Sequence, residues 1–195
     1  IRDRLVDREQ GTYMDVGFDQ WGASGLAAVW AEENTRESIF NAFRNKETYA
    51  TSGSRIKLRF FAGYDYESLD LKASDLVSQA YEKGVPMGSD IIFDNHREPF
   101  FLVWAVKGKN GAPLQRIQII KGWVDGSSGR PKEKVFDVVC SDGLEVDSKT
   151  HRCPDNNAKV DINTCEISDD VGAIELKTKW QDPEFNSTDN AFYYV

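Results

Sequence analysis

"GLAAVWAEENTRESIFNAFRNKETYATSG" (residues 25–53) holds the pattern from which the fold class can be argued. Leu26 to Trp30 is a short, unbroken apolar run, the signature of a strand buried on both faces. A helix should follow at once. Asn34 is placed to cap it, and Glu37, three residues on, to bond back to the Asn34 backbone N–H as in a capping box. Ile39, Phe40, Ala42 and Phe43 would form its apolar face, with Arg44 and Lys46 in the last turn, where the helix dipole favours cations. A buried strand leading into an amphipathic helix is one β/α unit.

Working outward, residues 1–24 give no clear period. Val6, Tyr13, Met14, Val16, Phe18 and Trp21 are separated by polar residues and read as a winding connection. After "TSGS" the pattern changes. Arg55 to Phe61 alternates as a half-buried strand, and Ser74 to Lys83 predicts a short helix with Leu76, Val77, Ala80 and Tyr81 inward and Gly84 past its end. Further strands are expected at residues 100–107, 115–121, 134–140, 174–180 and 192–195, separated by turns such as "KGKNGAP", "DGSSGRP" and "CSDG". No internal repeat stands out. The fold class is therefore α+β, mostly β: a β/α piece over residues 1–53, then an antiparallel β-sandwich over residues 54–195.

The bulk properties narrow the function classes. Net charge is −8, with Lys and Arg scattered among acids, so the basic stripe that grips nucleic acid is missing. No apolar run approaches the roughly 20 residues of a membrane helix. The opening "IRDRLVDREQ" is charged from its second residue and is no signal peptide, so either the protein is cytoplasmic or its natural start lies upstream. Cys140, Cys153 and Cys165 favour the second case. They lie close together without a CxxC pair, which disfavours zinc and favours one disulfide with one cysteine left over. Three buried thiols in a cytoplasmic protein are the bland alternative.

The run "GLAAVWAEENTRESIFNAFRNKETYATSGSRIKLRFFAGYDY", with "YEKGVPMGSD", "LQRIQIIKGWVDGSSGRPKEKVFDVVCSDG" and "TKWQDPEFNSTDNAFYYV", strongly resembles a bacterial family catalogued as domain of unknown function 3604. Larger members of that family look related to PHP-type metal-dependent phosphoesterases, whose distorted barrel precedes a region like this one. The resemblance implies that residues 1–53 are the last β/α unit of such a barrel, and that the protein is exported to the periplasm or beyond. It also implies that the chain continues past Val195 into a segment that, in cysteine-bearing relatives, holds another cysteine. On that basis Cys153 and Cys165 would pair and Cys140 would lack its natural partner. Ser54 stands where the family commonly has proline, leaving the turn less rigid.

A PHP-like site needs several His and carboxylate ligands around two or three metal ions. His96 and His151 are the only histidines, both in polar, turn-like surroundings. The resemblance therefore implies a divalent metal in the parent and no cofactor in this fragment. Glu32 and Glu33 fall between the expected strand and helix, where barrels place their sites, and with Arg36 they are candidates to border the active site. Their bland reading is dipole stabilisation of a helix start. Trp30, Trp104, Trp123 and Trp180 raise a different class, a glycan-binding module. Trp104 lies in the apolar "FFLVWAVK", whereas Trp123 lies near a turn and is the candidate contact. "DNNAKVDIN" (155–163) lacks the EF-hand order and reads as a solvated loop. The expectation is a supporting fragment of a metal-dependent hydrolase, partnered by the rest of its own chain; the alternative is a carbohydrate- or cell-surface-binding module.

Overall fold

Alternating and continuous apolar runs in this chain become antiparallel sheets, joined by two short helices among the described residues. The computed structural model describes residues 25–92, 94, 97–126, 128–168 and 170–195, with the backbone of residues 5–8 and 11–14. Those backbone segments, β1 (Leu5–Arg8) and β2 (Gly11–Met14), pair as a hairpin where a winding connection was expected. Val16, Phe18, Trp21 and His96 lie outside the described residues.

The β/α reading needs correction in three respects. β3 (Leu26–Val29) pairs antiparallel with β4 (Thr48–Thr51), a strand that the sequence pattern concealed, and α1 (Arg36–Arg44) connects them. β3 is not buried on both faces: Leu26 and Ala27 are exposed and Ala28 to Trp30 half-buried, because β3 and β4 form a two-stranded sheet of their own among the described residues rather than the interior of a larger one. The cap of α1 is Thr35, whose Oγ1 accepts from Ser38 N at 3.2 Å, while Ser38 Oγ accepts from Glu33 N at 3.2 Å. The cap thus falls one residue later than Asn34, and it is Ser38 that accepts the returning bond, from the Glu33 N–H, rather than Glu37 from that of the cap.

The larger sheet is built from β5 (Lys57–Gly63), β6 (Val85–Pro86), β7 (Phe100–Val106) and β10 (Glu175–Gln181), in the order β10-β7-β5-β6. Between β5 and β6 runs α2 (Leu76–Lys83). β7 reads FFLVWAV because both of its faces are covered. On one face, Phe61, Leu102 and the α2 residues Leu76 and Ala80 enclose Tyr66, whose hydroxyl donates to Ala80 O at 2.6 Å. Gly84 makes this possible, since a Cβ there would stand 2.2 Å from the Tyr66 hydroxyl. On the other face, Phe60, Phe101, Val103 and Leu176 meet Ile117 and Ile119 of a second sheet.

That second sheet has the order β11-β8-β9, formed by β8 (Arg116–Val124), β9 (Pro131–Cys140) and β11 (Ala191–Tyr194). Its inner face carries one buried charge. Lys121 Nζ donates to Asp182 Oδ2 and to Glu184 O, each at 2.7 Å, and Asp182 also accepts from Tyr193 Oη at 2.8 Å and Glu184 N at 2.8 Å. Every charge buried there has a partner.

Between β9 and β10 runs a long connection that is pinned at its start. Asp137, its side chain fully buried, accepts from Cys153 N (2.7 Å), Gln118 Nε2 (2.7 Å), Arg116 Nη1 (3.1 Å) and Arg152 Nη1 (3.2 Å). This places Cys153 against the end of β9, so the disulfide joins Cys140 and Cys153, with Cα atoms 5.7 Å apart. The expected Cys153–Cys165 pair is not formed. Cys165 is free and exposed, held away in a separate turn. That turn has two counterparts. In each of 125–130, 147–152 and 161–166, the first Asp N–H donates to the sixth carbonyl and the fifth N–H donates back to the Asp carbonyl. The fifth residue, Gly129, His151 or Cys165, has φ of 64°, 54° or 59°. "EVDSKTHRC" (145–153) and "KVDINTCEI" (159–167) are thus a short structural repeat that the sequence reading missed.

Candidate functional site

Between β4, the open side of β5, the 85–91 turn and the 185–195 segment lies a cleft of about 790 Å³. It forms because β5 pairs with β6 over only two positions, Phe61 and Ala62, and because β11 is the edge of its own sheet. Tyr49, Tyr64, Phe192 and Tyr194 give it aromatic walls, and Ser89, Asp90, Asp189 and Asn190 contribute polar groups. Burial raises the pKa of the Tyr49 hydroxyl, against lesser lowering effects from the Leu58 backbone and Arg59. Burial, reinforced by the bond to Asp182, also pushes up that of Tyr193, so both are neutral hydrogen-bonding groups at physiological pH. A second cleft of about 520 Å³ is lined by residues 49–54, by Leu58 and by Arg116 and Gln118 of β8.

Phe192 and Tyr194 are 63% and 45% exposed, with nearly parallel rings (16°) whose centroids lie 6.1 Å apart. The tip of the Phe192 ring covers Gly122, where a Cβ would meet Phe192 Cζ at 2.3 Å. Tyr194 Oη donates to Glu133 Oε2 at 3.2 Å. These residues were not singled out from the sequence, although a strand over 192–195, as expected, puts Phe192 and Tyr194 on one face.

The structure does not bring the expected site residues to this cleft. Glu32, Glu33 and Arg36 are exposed around the start of α1 and line neither cleft. Both acids precede the Thr35 cap, where the helix dipole favours them. Trp123 is half-buried at the end of the inner face of β8, with Lys121 Nζ 5.2 Å from its ring centroid. Trp104 and Trp180 belong to the packed interior of the sheets. His151 is the fifth residue of its turn, its ring edge-on to Phe136 at 5.2 Å. Asp161 of "DNNAKVDIN" accepts from Asn163 and Thr164 backbone N–H groups, which hold its carboxyl below the ordinary range. Among the described residues no group of three or more His, Cys, Asp or Glu side chains could hold a metal ion, so a PHP-type cluster does not fit them. No helix among them is long and apolar enough to cross a membrane.

Trp30 closes the geometry by tying the β3–α1–β4 unit to the larger sheet. Its Nε1 donates to Leu58 O at 2.7 Å, and the Arg59 guanidinium lies 3.7 Å from its ring centroid. Tyr81 of α2 donates to Glu47 at the start of β4.

A family model described as "Protein of unknown function (DUF3604)" matches residues 2–195. Comparison with curated proteins finds no match, and neither does comparison with solved structures.

Proposed function

Because the chain belongs to the DUF3604 family, we propose that it is the supporting portion of a larger, PHP-like metal-dependent hydrolase and is not catalytic by itself. In this reading residues 1–53 complete the barrel and residues 54–195 form a β-sandwich packed beside it. The metal ligands belong to the rest of the parent polypeptide.

One observation carries the reading. Half of the apolar stripe of α1 is turned outward: Ala42 is buried and Ile39 half-buried, but Phe40 is 59% and Phe43 52% exposed, and Leu26 on β3 is exposed as well. A helix gains its stability in water by covering such a stripe, and burying a side chain of this kind contributes roughly 1.5–3 kcal/mol. The barrel is the surface that would cover it. Glu32, Glu33 and Arg36 follow β3 and would then border the active site. Periplasmic or secreted localisation belongs to the same reading, supported by the Cys140–Cys153 bridge, which suits an oxidising compartment.

The test compares this chain with the longer parent for bound divalent metal and phosphoester hydrolysis. The parent should have both and the chain neither. Phe40→Asp with Phe43→Asp should leave the thermal midpoint of the chain unchanged while lowering the parent's turnover at least tenfold. Hydrolysis by the chain alone, or a parent indifferent to both substitutions, overturns the proposal. Unchanged turnover after Glu32→Gln and Glu33→Gln removes those two acids from it.

A further inference from the structure

We infer that the cleft beside β11 binds a neutral oligosaccharide, with Phe192 and Tyr194 as its stacking surface. Residues two apart on a strand project to the same side, so the two rings stand next to each other there, nearly parallel and 6.1 Å apart. β11 is an edge strand with β8 as its one neighbour among the described residues, and both rings stay exposed there. Large aromatics exposed as an ordered pair are the kind of surface that marks a ligand site rather than a scattered apolar residue.

The surroundings specify the ligand class. A sugar ring has an apolar C–H face that packs on aromatic rings and a rim of hydroxyls that both donate and accept. The adjoining cleft of about 790 Å³ supplies that rim with partners: Ser89, Asp90 and Asn190 make no side-chain hydrogen bond to another described residue. Asp90 and Asp189 on the cleft, Glu133 beside Tyr194 and a net charge of −8 all disfavour a polyanionic glycan. Gly122 sets the height of the surface, because any side chain there would lift the Phe192 ring. Trp123, the aromatic that its place near a turn brings forward, lines neither cleft and has no part in this site. The inference does not rest on the hydrolase reading and holds for a catalytic or an inert parent.

The experiment is calorimetric titration of the chain with cellohexaose, laminarihexaose and maltohexaose, alongside aromatic proton shifts by NMR. At least one hexaose should bind and move the Phe192 and Tyr194 resonances. Phe192→Ala, Tyr194→Ala and Gly122→Ala should each weaken it at least tenfold, while Glu33→Gln should not. Both rings are exposed, so the two ring truncations should leave the thermal midpoint in place. The inference is overturned if none of the three sugars binds, if the shifts appear elsewhere in the chain, or if the Phe192→Ala/Tyr194→Ala double variant binds as well as the parent sequence.

Discussion

Lys121 and Asp182 are the residues on which the inner face of the second sheet depends, and their partners are unequal. Asp182 would keep donors from Tyr193 and the Glu184 N–H if Lys121 were lost, whereas Lys121 would keep Glu184 O and the faces of Trp123 and Tyr193 but no counter-charge if Asp182 were lost. Breaking a buried pair from one side costs about 3–5 kcal/mol when the remaining charge is stranded. Asp182→Ala is therefore expected to fall in that range by urea denaturation, and Lys121→Met to cost clearly less; equal losses would contradict the asymmetry. Asp137 gives a pH signature. Burial pushes its carboxyl pKa up, but hydrogen bonds from the Cys153 N–H, Gln118, Arg116 and Arg152 outweigh that effect and hold it below its ordinary 3.8. A group whose folded pKa is depressed contributes stability that is fully present above its unfolded pKa and lost as pH falls through the folded one. Asp137→Asn should thus cost about 1–2 kcal/mol at pH 7, the lower end for a buried polar group because Arg116 and Arg152 remain partly solvated. The gap between the two proteins should narrow as pH falls below about 3.8. A gap independent of pH would show that the ionised form is not the stabilising one.

The three matching turns show how one local rule is met by different residues. Each needs its fifth position in the left-handed region, and glycine supplies it only at Gly129. Cys165 sits there at φ 59°, where a non-glycine residue is strained by roughly 1–2 kcal/mol, offset in part by the greater chain entropy that glycine loses. Cys165→Gly should accordingly be more stable than Cys165→Ala by about 0.5 kcal/mol in thermal melts, a comparison that removes the thiol from both sides. An alanine variant as stable as the glycine one would refute the shared geometry. These turns also mark what a single sequence can say. β7 was legible because FFLVWAV is a long apolar run bounded by turn signals, β5 through its alternation, and β8, β9 and β10 through the turns that separate them. β4 was hidden because "ETYAT" follows the helix without a glycine or proline to separate them. The cysteine pairing was hidden because Asp137, not sequence spacing, brings Cys153 to β9. The cleft was illegible for the same kind of reason, since Tyr49, Tyr64 and Tyr194 line it from β4, the end of β5 and β11, which belong to three different sheets.

At the scale of the whole molecule, the question is how the β3–α1–β4 unit stays aligned with the two larger sheets. Few side chains make that join. Trp30 hydrogen-bonds Leu58 O on the open side of β5 and lies under the Arg59 guanidinium, with the Tyr49 ring 6.2 Å away. Tyr81 reaches across from α2 to Glu47. Among the described residues the unit has no sheet hydrogen bonds to β5, because β3 and β4 pair with each other. Elements attached by few contacts open locally at lower cost than the core they rest on. Removing the Trp30 ring should therefore detach the unit without melting the remainder. For Trp30→Ala, amide hydrogen exchange is expected to accelerate at least tenfold across residues 26–51 while β5 and β7 keep their protection, and Trp30→Phe, which keeps stacking but loses the indole N–H, should fall between. The cleft borders β4, so the Trp30→Ala variant should also lose its affinity for whichever hexaose the parent sequence binds. Uniform acceleration through β5 and β7 would mean instead that the unit and the sheets unfold as one body, and that the join is part of a single cooperative core.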